Sequence, residues 1–202
     1  MKFWFVVFLT FLSSFHVLAD SDTKAAVEPL KIARDTFYTD VSKYNEGQLS
    51  EEELVGRISE QFAPLINDRV IALRVMGRFA RQATDAERDR FTERLEMSLV
   101  DAYARGLAAY GGEKLVLPDE GVILKPGRAM ISARLEAPGR EPLPIQFAMG
   151  FAETSGWMVE NVVISGINLG LTLRNQFADL VKSSGSVSGA IDSWTFESVR
   201  AN

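Results

Sequence analysis

The hydrophobic period of this chain changes twice, and that change restricts the fold more than any single motif. Up to Tyr110 the apolar residues recur every three or four positions. Between Lys114 and Ile164 they recur every second position, and from about Leu169 the helical spacing returns. The breaks in the middle section are short, such as Pro138-Gly139-Arg140 and Thr154-Ser155-Gly156. Parallel strands need a crossover of a dozen or more residues, so these strands must be antiparallel. Helices, an antiparallel meander and more helices make an α+β fold. No repeat, low-complexity tract or linker marks a second domain, and residues 20–202 read as one unit.

The first helical segment runs from Ala25 to Tyr44, with Val27, Leu30, Ala33, Phe37, Val41 and Tyr44 on its stripe. Ser50 and Glu53 form a capping box for a second helix through Leu54, Ile58 and Phe62, interrupted at Pro64. A third is expected over Asp68–Gln82, with Val70, Leu73, Met76 and Phe79 on one side. Thr84 and Glu87 form another capping box, and a long helix follows from Asp85 toward Tyr110 along Phe91, Leu95, Leu99, Ala102 or Tyr103, and Leu107. Gly111-Gly112 stops it. Strands follow at Lys114–Pro118, Val122–Lys125, Arg128–Glu136, Leu143–Phe151 and from Trp157 to Ile164, then helices at about Leu169–Ser183 and Ser188–Phe196.

The N-terminus carries Lys2, an apolar run from Phe3 to Leu12 and Val17-Leu18-Ala19, the pattern of a cleaved secretory signal peptide over residues 1–19. The apolar run is shorter than the roughly 20 residues a membrane span needs. Cleavage after Ala19 removes His16, the single histidine, and the chain has no cysteine. A mature chain of that kind has no Ser-His or Cys-His pair and no His/Cys metal site. An exported fold without disulfides must rest on its own core. Losing Lys2 shifts the formal charge from −5 to about −6, which argues against a nucleic-acid partner.

Four features could carry function. The stretch Trp157–Phe177 joins an apolar strand through Ser165-Gly166 to an apolar run with Ile167, Leu169, Leu171, Leu173 and Phe177. That is more apolar surface than a one-sided helix needs, so it reads as core or as one wall of an apolar cavity. The Leu143–Phe151 strand alternates cleanly and faces the N-terminal helices, again as core or as a ligand-cavity wall. Arginines 69, 74, 78, 81, 88, 90 and 94 are interleaved with acids as on a solvated helix face, while a subset near a cavity mouth would suit an anionic headgroup or an acidic partner. Carboxylates Glu113, Asp119, Glu120, Glu136, Glu153 and Glu160 lie near the sheet, and ordinary surface placement is expected of them.

Three blocks resemble the MlaC family, the periplasmic phospholipid-binding proteins also described as toluene-tolerance (Ttg2-type) proteins. They are Met76-Gly77-Arg78-Phe79 with Arg81, Ala83-Thr84, Arg88 and Phe91; Tyr103, Leu107 and Tyr110-Gly111-Gly112; and Trp157, Val159, Val162, Gly166-Ile167-Asn168-Leu169, Arg174-Asn175-Gln176-Phe177 and Gly185. The resemblance runs from about Pro29 to Trp194. Ala80, Asn168 and Glu160-Asn161 depart from the family's usual residues.

The resemblance implies a nuclear-transport-factor-like (NTF2-like) α+β fold, with a highly twisted antiparallel meander and helices enclosing an apolar cavity. It implies a non-enzymatic carrier of phospholipid, with no catalytic residue, metal or cofactor. The partners implied are an outer-membrane MlaA–porin complex and the inner-membrane MlaFEDB ABC transporter through MlaD, a system that maintains outer-membrane lipid asymmetry. On that basis the lipid tails are expected against Phe79, Leu95, Leu99 and Tyr103 from the helices. From the sheet they would meet Ile131, Ile145, Phe147 and Met149, and from the junction Val162, Ile164, Ile167 and Leu171. Two other classes remain open from the residues: a carboxylate-based enzyme on the same scaffold, and a chaperone or adaptor with a solid core.

Overall fold

Both capping boxes form. Ser50 Oγ accepts from the Glu53 N–H at 3.2 Å, while the Ser50 N–H donates to Glu53 Oε2 at 2.8 Å. Thr84 and Glu87 repeat the arrangement at 3.2 and 2.8 Å. Each box satisfies donors that a helix start leaves without an intrahelical partner. The structure, a computed structural model, describes residues 15–108 and 111–195, with side chains except those of 15–22, 100, 101 and 103–108. Leader residues 1–14, Phe196 and the side chains of Tyr103 and Leu107 therefore lie outside the described residues.

The helices are α1 (Phe15–Asn45), α2 (Glu51–Phe62), α3 (Asp68–Met76) and α4 (Asp85–Ala108), then α5 (Leu169–Ser184) and α6 (Val187–Asp192) after the sheet. The stripe expected on α1 is buried from Val27 through Val41. The third helix is shorter than its hydrophobic pattern suggests. It ends at Met76 because Gly77 adopts φ 56° and ψ −123°, which breaks the helix, and the chain continues as a 3₁₀ turn over Gly77–Arg81. Its buried face is also rotated: α3 lies between α4 and α5 and buries Ile71, Ala72, Val75 and Met76, leaving Val70 and Leu73 half-buried. The last helix stops at Asp192, short of its expected end, and Trp194 folds back so that its Nε1 donates to Ser98 Oγ at 3.2 Å.

The sheet consists of β1 (Lys114–Val116), β2 (Val122–Lys125), β3 (Arg128–Glu136), β4 (Leu143–Ala152), β5 (Gly156–Ile164) and β6 (Ile167–Asn168), all pairs antiparallel. The order is β1-β3-β4-β5-β6, and β2 also pairs with β3. Both β1 and β2 share one edge of β3, at its Arg134–Glu136 and Arg128–Met130 ends respectively. The residues expected to lead straight from turn to helix, Ile167 and Asn168, first pair back onto Ile164 and Val163. Asn168 then caps α5 by accepting from the Leu171 N–H at 3.0 Å.

A bulge in β5 organises the sheet faces. Ala148 pairs with Asn161 but the next residue, Met149, pairs with Val159, so Glu160 is the extra residue. Strict alternation would put Trp157 and Val159 on one face and Val162 and Ile164 on the other. The inserted residue brings all four to the same face, opposite Phe151, Met149, Phe147 and Ile145.

Three apolar clusters result. On the inner face of the sheet Ala26, Val27 and Leu30 of α1 meet Ala129, Ile131, Met149, Trp157 and Val159. Farther along α1, Phe37 and Val41 pack on Leu54 and Ile58 of α2. A helical cluster joins Phe91, Leu95 and Leu99 of α4 to Leu173 and Phe177 of α5 and to Trp194. Its aromatic heart is Phe91, 4.6 Å from Phe177 and 5.1 Å from Trp194 between ring centroids, within the range for favourable ring pairing.

Candidate functional site

Apart from Leu171, and from Tyr103, whose side chain lies outside the described residues, the structure divides the expected tail-contacting residues among three places. Ile131 and Met149 are buried in the sheet–α1 cluster, with Phe147 and Val162 packed half-buried against it. Leu95 and Leu99 are buried in the helical cluster, with Phe79 packed on it 6.3 Å from Phe177. The remaining sheet residues form one ladder, because Ala133 pairs with Ile145, Ile145 with Ile164, and Ile164 with Ile167. Directly opposed residues share a face. This ladder is therefore an apolar strip on the inner face, buried at Ala133 and Ile145, half-buried at Ile164 and 36% exposed at Ile167. It continues the α1-covered cluster and surfaces at the β5–β6 turn. Leu171, one turn into α5, is 52% exposed and lies apart from the strip, on a polar cleft.

That cleft, about 480 Å³, lies between α3, the following 3₁₀ turn and the start of α5. Its walls carry Arg74, Arg78, Arg81 and Arg174, with Glu160, Asn161, Asn168, Gly170 and Leu171, and Ile71 and Val75 of the helical cluster also line it. Glu160 is buried, contrary to the surface placement expected of it. Arg74 Nη2 donates to its Oε2 at 2.7 Å and Arg128 pairs with the same oxygen. Burying a carboxylate is costly unless it is paired, and here two cations meet it. Gly150 makes room: a Cβ there would run into the Glu160 carboxylate and the Arg128 guanidinium. The sequence signal available was Gly150 itself, an interruption in an otherwise well-filled strand.

Two further glycines shape the cleft. A Cβ on Gly77 would come within 2.7 Å of Arg174 Nε, and one on Gly170 within 2.7 Å of Asn161 Oδ1. The Arg174 guanidinium lies against bare backbone, and Asn161 reaches the Gly170 N–H at 2.9 Å. Elsewhere the arginines behave as the interleaved charges suggest: Arg69 pairs with Asp89, Arg88 with Asp85 at 2.6 Å, and Arg90 with Asp192 at 3.7 Å. Arg94 donates to the carbonyls of Ile191 and Asp192. Among the described residues, no group of three or more His, Cys, Asp or Glu side chains is gathered as a metal site requires. No described helix is long and apolar enough to cross a membrane.

The family profile described as "MlaC protein" matches residues 35–195, spanning α1 to the end of the helical cluster. This chain belongs to the MlaC family. A relative of this MlaC-family chain, the toluene tolerance protein Ttg2D of Pseudomonas putida, is 28% identical over 146 residues. The match covers 68% of this chain and 64% of that relative, so it spans less than two thirds of the relative's length. Among solved structures, the phospholipid-binding protein of Ralstonia solanacearum in complex with a phospholipid shares the fold, with a TM-score of 0.69 and 22% identity. That similarity covers 83% of this chain and 93% of the other.

Proposed function

We propose that this chain is a periplasmic phospholipid carrier, exported through a cleaved leader at residues 1–19, and not an enzyme. Family membership supports the class, as do a relative named for toluene tolerance and a fold shared with a protein named for phospholipid binding. The structural observation that carries it is the apolar strip Ala133–Ile145–Ile164–Ile167, which begins in the sheet interior and emerges at the β5–β6 turn. An acyl chain entering there would slide along a face made only of aliphatic groups toward Phe147, Val162 and Ile131. The acid–base alternative finds little support, since Glu160, the buried carboxylate of the six noted, is held by two arginines.

The energetics favour exchange over tight capture. Moving about 30 acyl methylenes out of water, at ~0.8 kcal/mol each, is worth roughly 25 kcal/mol, and a bilayer offers nearly the same. A carrier therefore needs only to match the bilayer, which aliphatic walls with few hydrogen bonds accomplish. In this reading the protein passes phospholipid between the outer-membrane MlaA–porin complex and the MlaFEDB transporter, through MlaD, and the transporter supplies the energy that sets the direction.

Organic extraction and mass spectrometry of the purified protein test the reading directly. Bound phospholipid is expected; a protein free of lipid with a filled interior would instead indicate an adaptor. Because Ile167 is already partly exposed, Ile167→Glu adds a charge without burying it. We expect this variant to melt like the parent and to lose its co-purifying lipid. Unchanged lipid would remove the strip from the binding path.

A further inference from the structure

We infer that the cleft between α3 and α5 is a phosphate-binding site, formed by Arg78, Arg81 and Arg174 with Arg74 at its inner wall, and that it receives the phosphodiester of a glycerophospholipid head. The clause on the lipid rests on the carrier reading above; the phosphate site rests on the cleft.

The cleft carries more positive charge than the described residues around it neutralise. Four arginines and one carboxylate line the cleft, and Glu160 is already met by Arg74 and by Arg128 from the sheet. Arg81 and Arg174 make no hydrogen bond or ion pair among the described residues, although most other arginines of the helical layer are partnered. The Arg78 guanidinium carbon lies over the Phe79 ring, 4.8 Å from its centroid, a cation–π contact that uses the face of the group and not its N–H donors. In a chain of net charge −5, such an unmatched cluster focuses a positive potential against the background.

The cluster is also built rather than incidental. Its arginines come from three separate elements, α3, the 3₁₀ turn and α5. Gly77 bends the chain so that Arg78 and Arg81 leave the axis of α3, and its missing side chain gives Arg174 a seat against the backbone. The N–H groups of Gly170 and Leu171 are occupied by Asn161 and Asn168, so the ligand would be held by guanidiniums and not by the helix terminus. Planar guanidinium forks match the tetrahedral oxygens of phosphate and bind them in pairs. An acidic polypeptide would also be attracted, but the arginines face into one cleft of about 480 Å³, a volume suited to a compact head. Leu171 on the rim offers an apolar contact of the sort a glycerol backbone can use.

The test is calorimetric titration of the full mature protein, stripped of any co-purifying lipid so that the cleft is free, at low ionic strength with three probes: inorganic phosphate, sn-glycero-3-phosphoglycerol and oligo-aspartate. Wild type should bind glycerophosphoglycerol. Arg81→Ala and Arg174→Ala should each weaken it about tenfold or more, while Arg140→Ala, an exposed arginine on the β3–β4 turn, should not. Arg81→Ala carries the result if Arg174→Ala disturbs folding, because Arg81 is exposed and makes no ion pair among the described residues. Tighter binding of glycerophosphoglycerol than of inorganic phosphate supports a lipid head. Equal binding supports the phosphate site and assigns it to free phosphate. Binding that is absent, that survives both substitutions, or that is confined to oligo-aspartate overturns the inference. Lipid extraction from the same preparations separates the two readings. Lipid without phosphate binding leaves the carrier and removes the site, and phosphate binding without lipid does the reverse.

Discussion

At the scale of single residues, the most informative position is Glu160. One extra residue in β5 turns its carboxylate toward Arg74 and Arg128, and Gly150 on the neighbouring strand leaves the space it occupies. Two substitutions separate these contributions. Gly150→Ala forces a methyl group into the ion pair, and we expect a loss of about 1–3 kcal/mol by denaturant unfolding. Glu160→Gln keeps the shape but leaves two guanidiniums facing a neutral amide. Both arginines are partly in water, so a loss of about 1–2 kcal/mol is expected, below that of a fully buried pair. An unchanged unfolding midpoint in both would mean that the network contributes nothing to the fold. A period-two reading has no means of locating an inserted residue, which is why Glu160 looked like a surface acid. The four apolar neighbours Trp157, Val159, Val162 and Ile164 were legible as apolar, but their sharing one face was not.

Among the elements, what the sequence revealed depended on how local the cause was. Capping boxes act within four residues, and both Ser50–Glu53 and Thr84–Glu87 form as their spacing indicates. Strands β2 and β3 begin and end where alternation and turns suggest. The end of α3 at Gly77 depends on a backbone conformation, and its buried face depends on which helices flank it; neither is encoded in a local pattern. The candidate site shows the same division. Apolar character was legible at each expected tail contact, whereas their separation into the sheet cluster, the helical cluster and the surfacing strip is a tertiary result. The cap is testable on its own: Ser50→Ala should cost about 1 kcal/mol and leave lipid content unchanged. A larger loss would show that α2 depends on this cap for its docking against α1.

For the whole molecule, acid should be the first stress to reveal how the charges are arranged. Hydrogen bonds from Ser50 hold the Glu53 carboxyl below its ordinary range, with the backbone N–H the largest cause, and Thr84 does the same for Glu87. Arg34 lowers Asp35, Arg88 lowers Asp85, and backbone N–H groups at Glu113 and Gly111 lower Glu113. A carboxylate with a depressed folded pKa stabilises the fold fully above its unfolded value, about 4, and loses that contribution as pH falls through the folded value. Melting temperature should therefore hold steady from pH 7 to about 5 and decline below about pH 4. The double variant Glu53→Gln, Glu87→Gln should flatten the decline. A loss already complete by pH 6 would assign acid sensitivity to other groups.

The arrangement of strands at the margins of the sheet has a consequence for self-association. One edge is divided between β1 and β2, which cover opposite ends of β3; on the other, β6 meets β5 at Val163 and Ile164, and Ile66 bridges to Val159, whose carbonyl accepts from the Asn67 N–H. Each margin is interrupted along its length, which shortens the row of unpaired N–H and C=O groups on which another chain could add as a strand. Lys114 and Lys125, at the outer ends of the divided edge, place charge where such an approach would begin. A protein with apolar sheet surface and no cysteine to cross-link it thus carries some protection of its own against edge-to-edge polymerisation.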